Sequence, residues 1–327
     1  MPNPVLSIIV PAYNEEAVLE AFHARLTPVL QDLGFSTEIM YINDGSNDRT
    51  LEILADLKTR DGNVCFINLS RNFGKEAAVT AGIDHVQGDA VIIIDADLQD
   101  PPELIPDLVK PWQEEGIDVV YAKRRHRAGE SWLKKSSAKM FYKIMSRIGP
   151  VDIPRDTGDF RLMSRRSIDA LKELREQHRF MKGLFAWVGF PQREVLYDRD
   201  PRFAGETKWN YLKLWNFSLD GITGFTIAPL KLATYFGFFI ASMSGLLGLK
   251  IIVDTLIFGG DVPGYPSLMV VILFLGGTQL IFMGILGEYV GRIFNESKNR
   301  PLYLIQDFEK VEMPSKGKKK TATHDKT

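Results

Sequence analysis

Four consecutive β-branched apolar residues, Val91 to Ile94, run straight into Asp95 and Asp97 and stop at Pro101-Pro102. An apolar run this short between turn formers predicts a strand buried on both faces. Such strands belong to parallel sheets covered by helices, which bind ligands at the carboxyl ends of their strands. Two carboxylates one residue apart at that edge can share a divalent cation with a diphosphate, because magnesium is held by one or two carboxylates plus phosphate oxygens. The other acids of the segment read differently. Asp100, Pro101 and Glu103 have the spacing of a helix start, with Asp100 as N-cap, Pro101 at the first helical position and Glu103 in a capping box. Asp95 and Asp97 cap nothing, which leaves them for metal or nucleotide work. A second Asp-x-Asp, Asp198 and Asp200, follows another short apolar run; about one such motif is expected by chance in a chain this long.

The same alternation of strand and helix signals extends over residues 1 to about 225 and predicts an α/β fold with a mostly parallel sheet. Strands are expected at Leu6–Val10, Glu38–Ile42, Val64–Leu69, Val91–Ile94 and Val119–Ala122. A helix should follow the first strand to about Leu33. Ser46 or Asn47 can cap the next, whose apolar face is Leu51, Leu54 and Leu57, and another should follow the Asn72-Phe73-Gly74 turn. Polar residues recur where these strands end: Glu15, Asp44, Asp95 with Asp97, and Arg124. In a parallel sheet those ends share one edge, and together they suggest a nucleotide site. No Gly-x-Gly-x-x-Gly and no Walker lysine motif occurs, which argues against dinucleotide and ATPase readings.

Formal net charge is -1 over 327 residues, which argues neither for nor against nucleic acid; no nucleic-acid partner is among those expected. Cys65 is the only cysteine, so an intramolecular disulfide and a cysteine-based zinc site are excluded, in keeping with a reducing compartment. Met1 to Pro4 leads directly into a strand pattern, so no signal peptide is expected.

The C-terminal third is apolar in a different way. Leu232–Leu249 and Leu268–Gly287 carry no charge, and roughly 20 residues of helix cross the hydrocarbon core of a bilayer. The first run continues to Phe258 and takes in Lys250 and Asp254, which sit one turn apart and can snorkel or pair. Two transmembrane helices are expected, the alternative being two buried helices of a soluble domain. The connection Gly259–Pro266 has no lysine or arginine, whereas Lys298, Arg300, Lys310, Lys316, Lys318, Lys319, Lys320 and Lys326 follow the second run. The positive-inside rule then puts the connection outside and both termini in the cytoplasm. The tail, with Lys-Gly-Lys-Lys-Lys at 316–320, reads as disordered and suited to anionic lipid. Lys135, Lys139, Lys143 and Arg147 form a ridge within Trp132–Ile148, read either as a membrane-facing surface or as a solvated face. Trp209, Leu212, Trp215, Leu219 and Ile222 have helical spacing within Trp209–Phe225, read as an interfacial helix or a core helix.

Several segments, in order, carry a resemblance: LSIIVPAYNEE, INDGSNDRT, LSRNFGKEAA, IDADLQDPPEL, TGDFRLM, RFMKGLFAWVG and GETKWNYLKLW. The chain resembles the inverting family 2 glycosyltransferases of the GT-A fold, and within them the bacterial polyprenyl-phosphate (bactoprenol) glucosyltransferases and the dolichol-phosphate mannose synthases. The likeness spans roughly residues 5 to 308. It implies a cytoplasmic GT-A domain over 1–208, an interfacial juxtamembrane helix over 209–226, two transmembrane helices over 227–296 and a basic tail over 297–327. The whole would lie in the inner (cytoplasmic) membrane as a multi-pass protein, assembled as a homo-oligomer.

The resemblance also implies site roles. Pro11, Tyr13, Glu15, Asp44, Asp95 and Ala96 would form the nucleotide site, and Asp97 would hold Mg2+ or Mn2+ with Asp95 and Gln99. Arg124, Arg202 and Lys208 would contact phosphates of donor or acceptor. Asp159 matches the proposed catalytic base. Yet the nucleophile, a phosphate oxygen of the polyprenyl phosphate, has a second pKa of about 6 and is mostly deprotonated at pH 7; Asp159 can instead orient the acceptor or take up a last proton. Asp198 and Asp200 match no role. The expected reaction is transfer of a hexose, glucose from UDP-glucose, onto undecaprenyl phosphate with inversion. Alternatives are mannose from GDP-mannose, a modified pentose such as formamido-arabinose, or a non-catalytic nucleotide-binding membrane adaptor. A processive polysaccharide synthase fits less well, because Gln177-His178-Arg179-Phe180 does not match the Gln-x-x-Arg-Trp motif of those enzymes.

Overall fold

A computed structural model describes residues 5–125, 154, 156–199, 223–224, 226–259 and 264–310. Strands β1 (Val5–Ala12), β2 (Ser36–Asn43), β3 (Val64–Leu69), β4 (Ala90–Ile93) and β5 (Val119–Arg124) form where alternating or continuous apolar runs predict them. Three further strands were not expected: β6 (Thr157–Ser164), β7 (Gln192–Tyr197) and β8 (Ile305–Glu309). All eight form one sheet in the order β7-β5-β6-β4-β1-β2-β3-β8. Pairings β1–β2, β1–β4, β2–β3 and β5–β7 are parallel. β6 lies antiparallel between β4 and β5, and β8 runs antiparallel along β3. The sheet is therefore mostly parallel but mixed, as the GT-A resemblance implied. Residues 305–309, expected as part of a tail, return to complete its edge.

Strand order reverses at β1, with β2 and β3 on one side and β4 on the other, which opens a crevice beyond their carboxyl ends. Both faces of the sheet are buried. Ile8, Val10, Tyr41, Ile92 and Phe160 pack on one side with helices α1 (Leu19–Asp32), α2 (Thr50–Arg60) and α4 (Ile105–Glu115). Ile9, Ile42, Ile67, Ile93 and Met163 pack on the other with α3 (Lys75–His85), α5 (Arg165–Lys172) and α6 (Met181–Trp187). Ile8, Ile9, Ile92 and Ile93 are wholly inaccessible, and each such side chain stabilises the fold by about 1.5–3 kcal/mol. This double burial is why these strands read as unbroken apolar runs.

The helices α7 (Ala228–Phe258) and α8 (Tyr265–Ser297) are equally apolar but not buried. Their membrane-length stretches are 6% and 0% buried, which removes the reading as core helices of a soluble domain. Both are long and apolar enough to cross a bilayer. Among the described residues no ion pair joins Lys250 to Asp254. The end of α8 meets the sheet domain, where Glu296 Oε1 accepts from the Gln177 amide at 2.8 Å and Asn295 lies 3.0 Å from His178 Nε2. The ridge at 132–148, nearly all of 209–225, the tail beyond 310 and Asp200 fall outside the described residues.

Candidate active site

Strands β4 and β5 are both antiparallel to β6, so β1, β2, β4 and β5 all end at one edge. Pro11–Glu15, Asp44, Asp95–Gln99 and Arg124 meet there, as their positions at strand ends predict. Because β6 runs the other way, its first residues reach the same edge. Ile93 pairs with Arg161, and two residues beyond that pair lie Asp95 and Asp159. An antiparallel strand beside β4 thus delivers a third carboxylate to the Asp-x-Asp turn.

Lys75, the first residue of α3, fills the space between them. Its Nζ lies 2.7 Å from the Asp95 carboxylate and 2.5 Å from Asp159 Oδ2. Burial opposes its charge, but Asp159 and Asp95 outweigh burial and hold the ammonium well above the usual lysine range. Burial pushes the Asp95 carboxyl up to about 6, with Lys75 opposing and Asp159 adding to the rise. Burial would raise Asp159 too, yet Lys75 and then Lys182 hold it well below the usual carboxylate range. Arg161 donates to the carbonyls of Gly158 at 2.9 Å and Asp159 at 3.4 Å, and its guanidinium stacks 3.8 Å over Phe185. The side-chain partner of Asp159 is therefore Lys75, not Arg161 two residues along the chain.

The turn after β4 is strained. Leu98 adopts a left-handed φ of 58°, a conformation that costs a branched L-residue roughly 1–2 kcal/mol. Its side chain is buried against the core, which offsets that cost. Asp97 Oδ1 accepts from the Gln99 amide at 3.1 Å, closing an Asx turn. Arg199 points at this turn, 4.0 Å from Asp97 and 3.9 Å from Asp100. Its buried Nε has no hydrogen-bond partner among the described residues.

Three expectations about caps fail. Asp100 is not an N-cap: the 3-10 turn Pro102–Leu104 has Pro101 before it and no side-chain cap. The Asp100 carboxylate is buried and accepts from the Tyr197 hydroxyl, which itself accepts from Arg124 Nε at 3.2 Å. A buried acid finds a donor on β7, itself bonded to Arg124 of β5, that no local pattern reveals. Glu103 is structural, but through two bonds from Arg25 at 2.6 and 2.8 Å rather than a capping box. Likewise the helix α2 is met at Thr50 N by Asp48 Oδ1 at 3.0 Å, not by Ser46 or Asn47. Those two tie β2's turn to β1's, through Asn14 N to Ser46 Oγ at 3.0 Å and Asn47 N to Asn14 Oδ1 at 2.9 Å.

Asp44 is buried, and its oxygens accept the amides of Phe73 at 2.7 Å and Gly74 at 2.9 Å. Burial pushes its carboxyl up from the usual range while those amides oppose the shift. Gly74 has φ 97° and Gly45 has φ 63°, and a Cβ at Gly45 would lie only 2.4 Å from the Arg71 carbonyl carbon. The close approach of these two loops needs glycine. Pro11, Tyr13 and Glu15 are half-buried along the β1 turn, and the Glu15 amide donates to Thr50 Oγ1 at 2.9 Å. Ala96 is buried beneath Asp95 and Asp97. Arg202 and Lys208 lie outside the described residues.

Lys75, Glu76, Lys182, Tyr197 and Arg199 were not singled out by sequence. Lys75 with Glu76, and Lys182, lie inside LSRNFGKEAA and RFMKGLFAWVG, so the resemblance marked their segments without assigning them. Burial, then Asp159, pushes Glu76 up to about 8. Burial pulls Lys182 below the usual lysine range, with Asp159 opposing. For a metal, among the described residues no group of three His, Cys, Asp or Glu side chains is arranged to hold an ion by itself. Two partly exposed carboxylates one residue apart nevertheless supply hard oxygen donors, in the number that suits a cation shared with a diphosphate.

Residues 7–172 match the family model "Glycosyl transferase family 2". An uncharacterized glycosyltransferase of Synechocystis sp. is 57% identical over 302 residues, covering 92% of this chain and 95% of that protein. The bactoprenol glucosyl transferase of Shigella phage SfV is 49% identical over 302 residues, covering 92% of this chain and 98% of its own. A prophage bactoprenol glucosyl transferase homolog of Escherichia coli K12 is 46% identical over 305 residues, covering 93% and 99%.

Proposed function

Because the chain belongs to glycosyl transferase family 2, we propose that it transfers glucose from UDP-glucose, with inversion, to a polyprenyl phosphate such as undecaprenyl phosphate at a membrane. The observation that carries this reading is the meeting of Asp95, Asp97, Asp159 and Arg124 at one sheet edge, in a chain with two long unburied apolar helices. Relatives named bactoprenol glucosyl transferase support both lipid acceptor and sugar.

In this reading Pro11, Tyr13, Glu15, Asp44, Asp95 and Ala96 form the nucleotide site. Asp97, with Asp95 and Gln99, holds Mg2+ or Mn2+, and such a cation supplies charge stabilisation for the departing diphosphate. Arg124 reaches phosphate oxygens, as a guanidinium fork suits. Arg202 and Lys208 take the same role on the strength of the resemblance. The phosphate oxygen of the lipid attacks the anomeric carbon as the bond to the diphosphate breaks, and the nucleoside diphosphate leaves. The acceptor phosphate is mostly ionised at pH 7, with its second pKa of about 6. Asp159 therefore acts chiefly by orienting that phosphate, and takes a proton only from the fraction that still carries one. The catalytic domain and both termini face the cytoplasm, and α7 and α8 anchor the site at the bilayer where the lipid phosphate lies. The homo-oligomer is carried by the resemblance alone.

Membranes containing the chain, given labelled nucleotide sugars and polyprenyl phosphate with and without EDTA, test the proposal. UDP-glucose should give an EDTA-sensitive, lipid-extractable product. Product from GDP-mannose or UDP-formamido-arabinose alone would replace the sugar, and product from no donor would overturn the transferase reading.

A further inference from the structure

The most unusual contact at the edge is the single ammonium shared by two acids on neighbouring strands. We infer that Lys75 is a positioning residue that holds Asp95 and Asp159 together and competes with a divalent cation for Asp95. The catalytic half of this inference rests on the proposed transferase reading; the cation half does not.

Register fixes the problem that Lys75 solves. Asp95 and Asp159 continue the Ile93–Arg161 pair, so topology forces two carboxylates side by side, where like charges repel. Arg161 offers its guanidinium to main-chain carbonyls and Phe185 instead of to these carboxylates. Lys75 contacts both, at 2.7 and 2.5 Å.

The backbone beneath Lys75 is held firmly. Asp44 binds the two amides before it, Phe73 and Gly74. Its side chain is different: 42% exposed, on a flexible four-carbon stem with a point charge. A cation on Asp95 cannot tolerate an ammonium at hydrogen-bonding distance from the same carboxylate. Lys75 must then withdraw toward Asp159 or turn to the phosphate oxygens of the donor. In the second case it carries positive charge from the carboxylates to the place where the leaving group gains negative charge. The anchored backbone and free side chain suit that exchange better than a rigid arginine fork would.

The test uses the full chain in detergent and Mn2+ alone, without nucleotide, followed by the electron paramagnetic resonance of free Mn2+. Lys75→Met should bind Mn2+ about tenfold more tightly than the native chain, since one opposing charge is gone, while Lys75→Arg should stay near native. Independently, amine labelling of the native chain read by mass spectrometry should show Lys75 labelled faster as Mn2+ is added, which needs no variant to fold. Unchanged or weaker Mn2+ binding by a folded Lys75→Met, labelling insensitive to Mn2+, or no Mn2+ binding by either protein would overturn the inference. In the transfer assay Lys75→Met should lower kcat more than it raises the KM for donor, with Lys75→Arg recovering part of the loss; equal losses in both variants would remove the catalytic half. A native chain that binds Mn2+ in this way but transfers no sugar would sink the transferase reading and leave the competition standing.

Discussion

The two edges of the sheet carry the same kinds of side chain to opposite ends. At the amino edge three acids have fixed protein partners. Asp118, with a side chain 3% exposed, accepts from Ser164 Oγ at 2.7 Å and from the Arg166 guanidinium. Glu38 accepts from Ser7 Oγ at 2.7 Å, and Asp89 accepts the Val5 amide at 3.0 Å. At the carboxyl edge Asp95 and Asp97 are 25% and 23% exposed, and are met by a half-exposed lysine and by an arginine about 4 Å away. Satisfied acids hold strands in register. Acids left with movable partners can exchange them for a ligand, and parallel topology collects those acids on one side.

That contrast predicts opposite consequences for conservative changes at the two edges. Asp97→Asn should reduce transfer by about 100-fold or more, as loss of an aligned electrostatic group does, with thermal unfolding nearly unchanged; a radiolabelled lipid-product assay beside a melt reads both. A large fall in melting temperature would place Asp97 with the structural acids instead. Gly45→Ala, in the loop that braces the carboxyl edge, should destabilise the fold by roughly 1–3 kcal/mol through its left-handed backbone and the Arg71 backbone beside it, measured by denaturant unfolding. At the amino edge Asp118→Asn should cost about 1–3 kcal/mol, while KM for the donor stays native.

The smallest effect is one of pH. Arg166 first, and Ser164 with it, hold the Asp118 carboxyl below its usual range against burial. A depressed carboxylate contributes stability that is present above its unfolded pKa of about 3.9 and lost as pH falls through the folded value. Unfolding midpoints should therefore drop as pH falls below about 4, and more shallowly in Asp118→Asn. Equal slopes in the two proteins would show that other acids set the acid limb.

Much of this was legible in the chain, and for identifiable reasons. Val64–Leu69 forms β3 at the bounds its apolar run predicts, because a strand buried on both faces must be apolar throughout. The unburied helices α7 and α8 were legible for a related reason: length and absence of charge set what they can cross. β6 was missed because Thr157-Gly158-Asp159-Phe160-Arg161 mixes charge into a strand, which is possible where one face lines a site. β8 was missed because five residues of mixed polarity at a sheet edge carry little periodic signal. The fate of Asp100 was misread because a correct local spacing for a cap competed with a stronger distant partner, Tyr197.

The sequence by itself determined the alternation of elements, the strand ends at which Asp44, Asp95, Asp97 and Arg124 sit, and the two membrane-length helices. These are local properties, set by side-chain periodicity and apolar run length. Tertiary structure alone decided that Asp159 stands beside Asp95, that Lys75 joins them, and that the chain returns from α8 to pair with β3. Those contacts depend on strand direction and register between segments distant in sequence, where the meeting of charges follows from topology rather than from neighbouring residues.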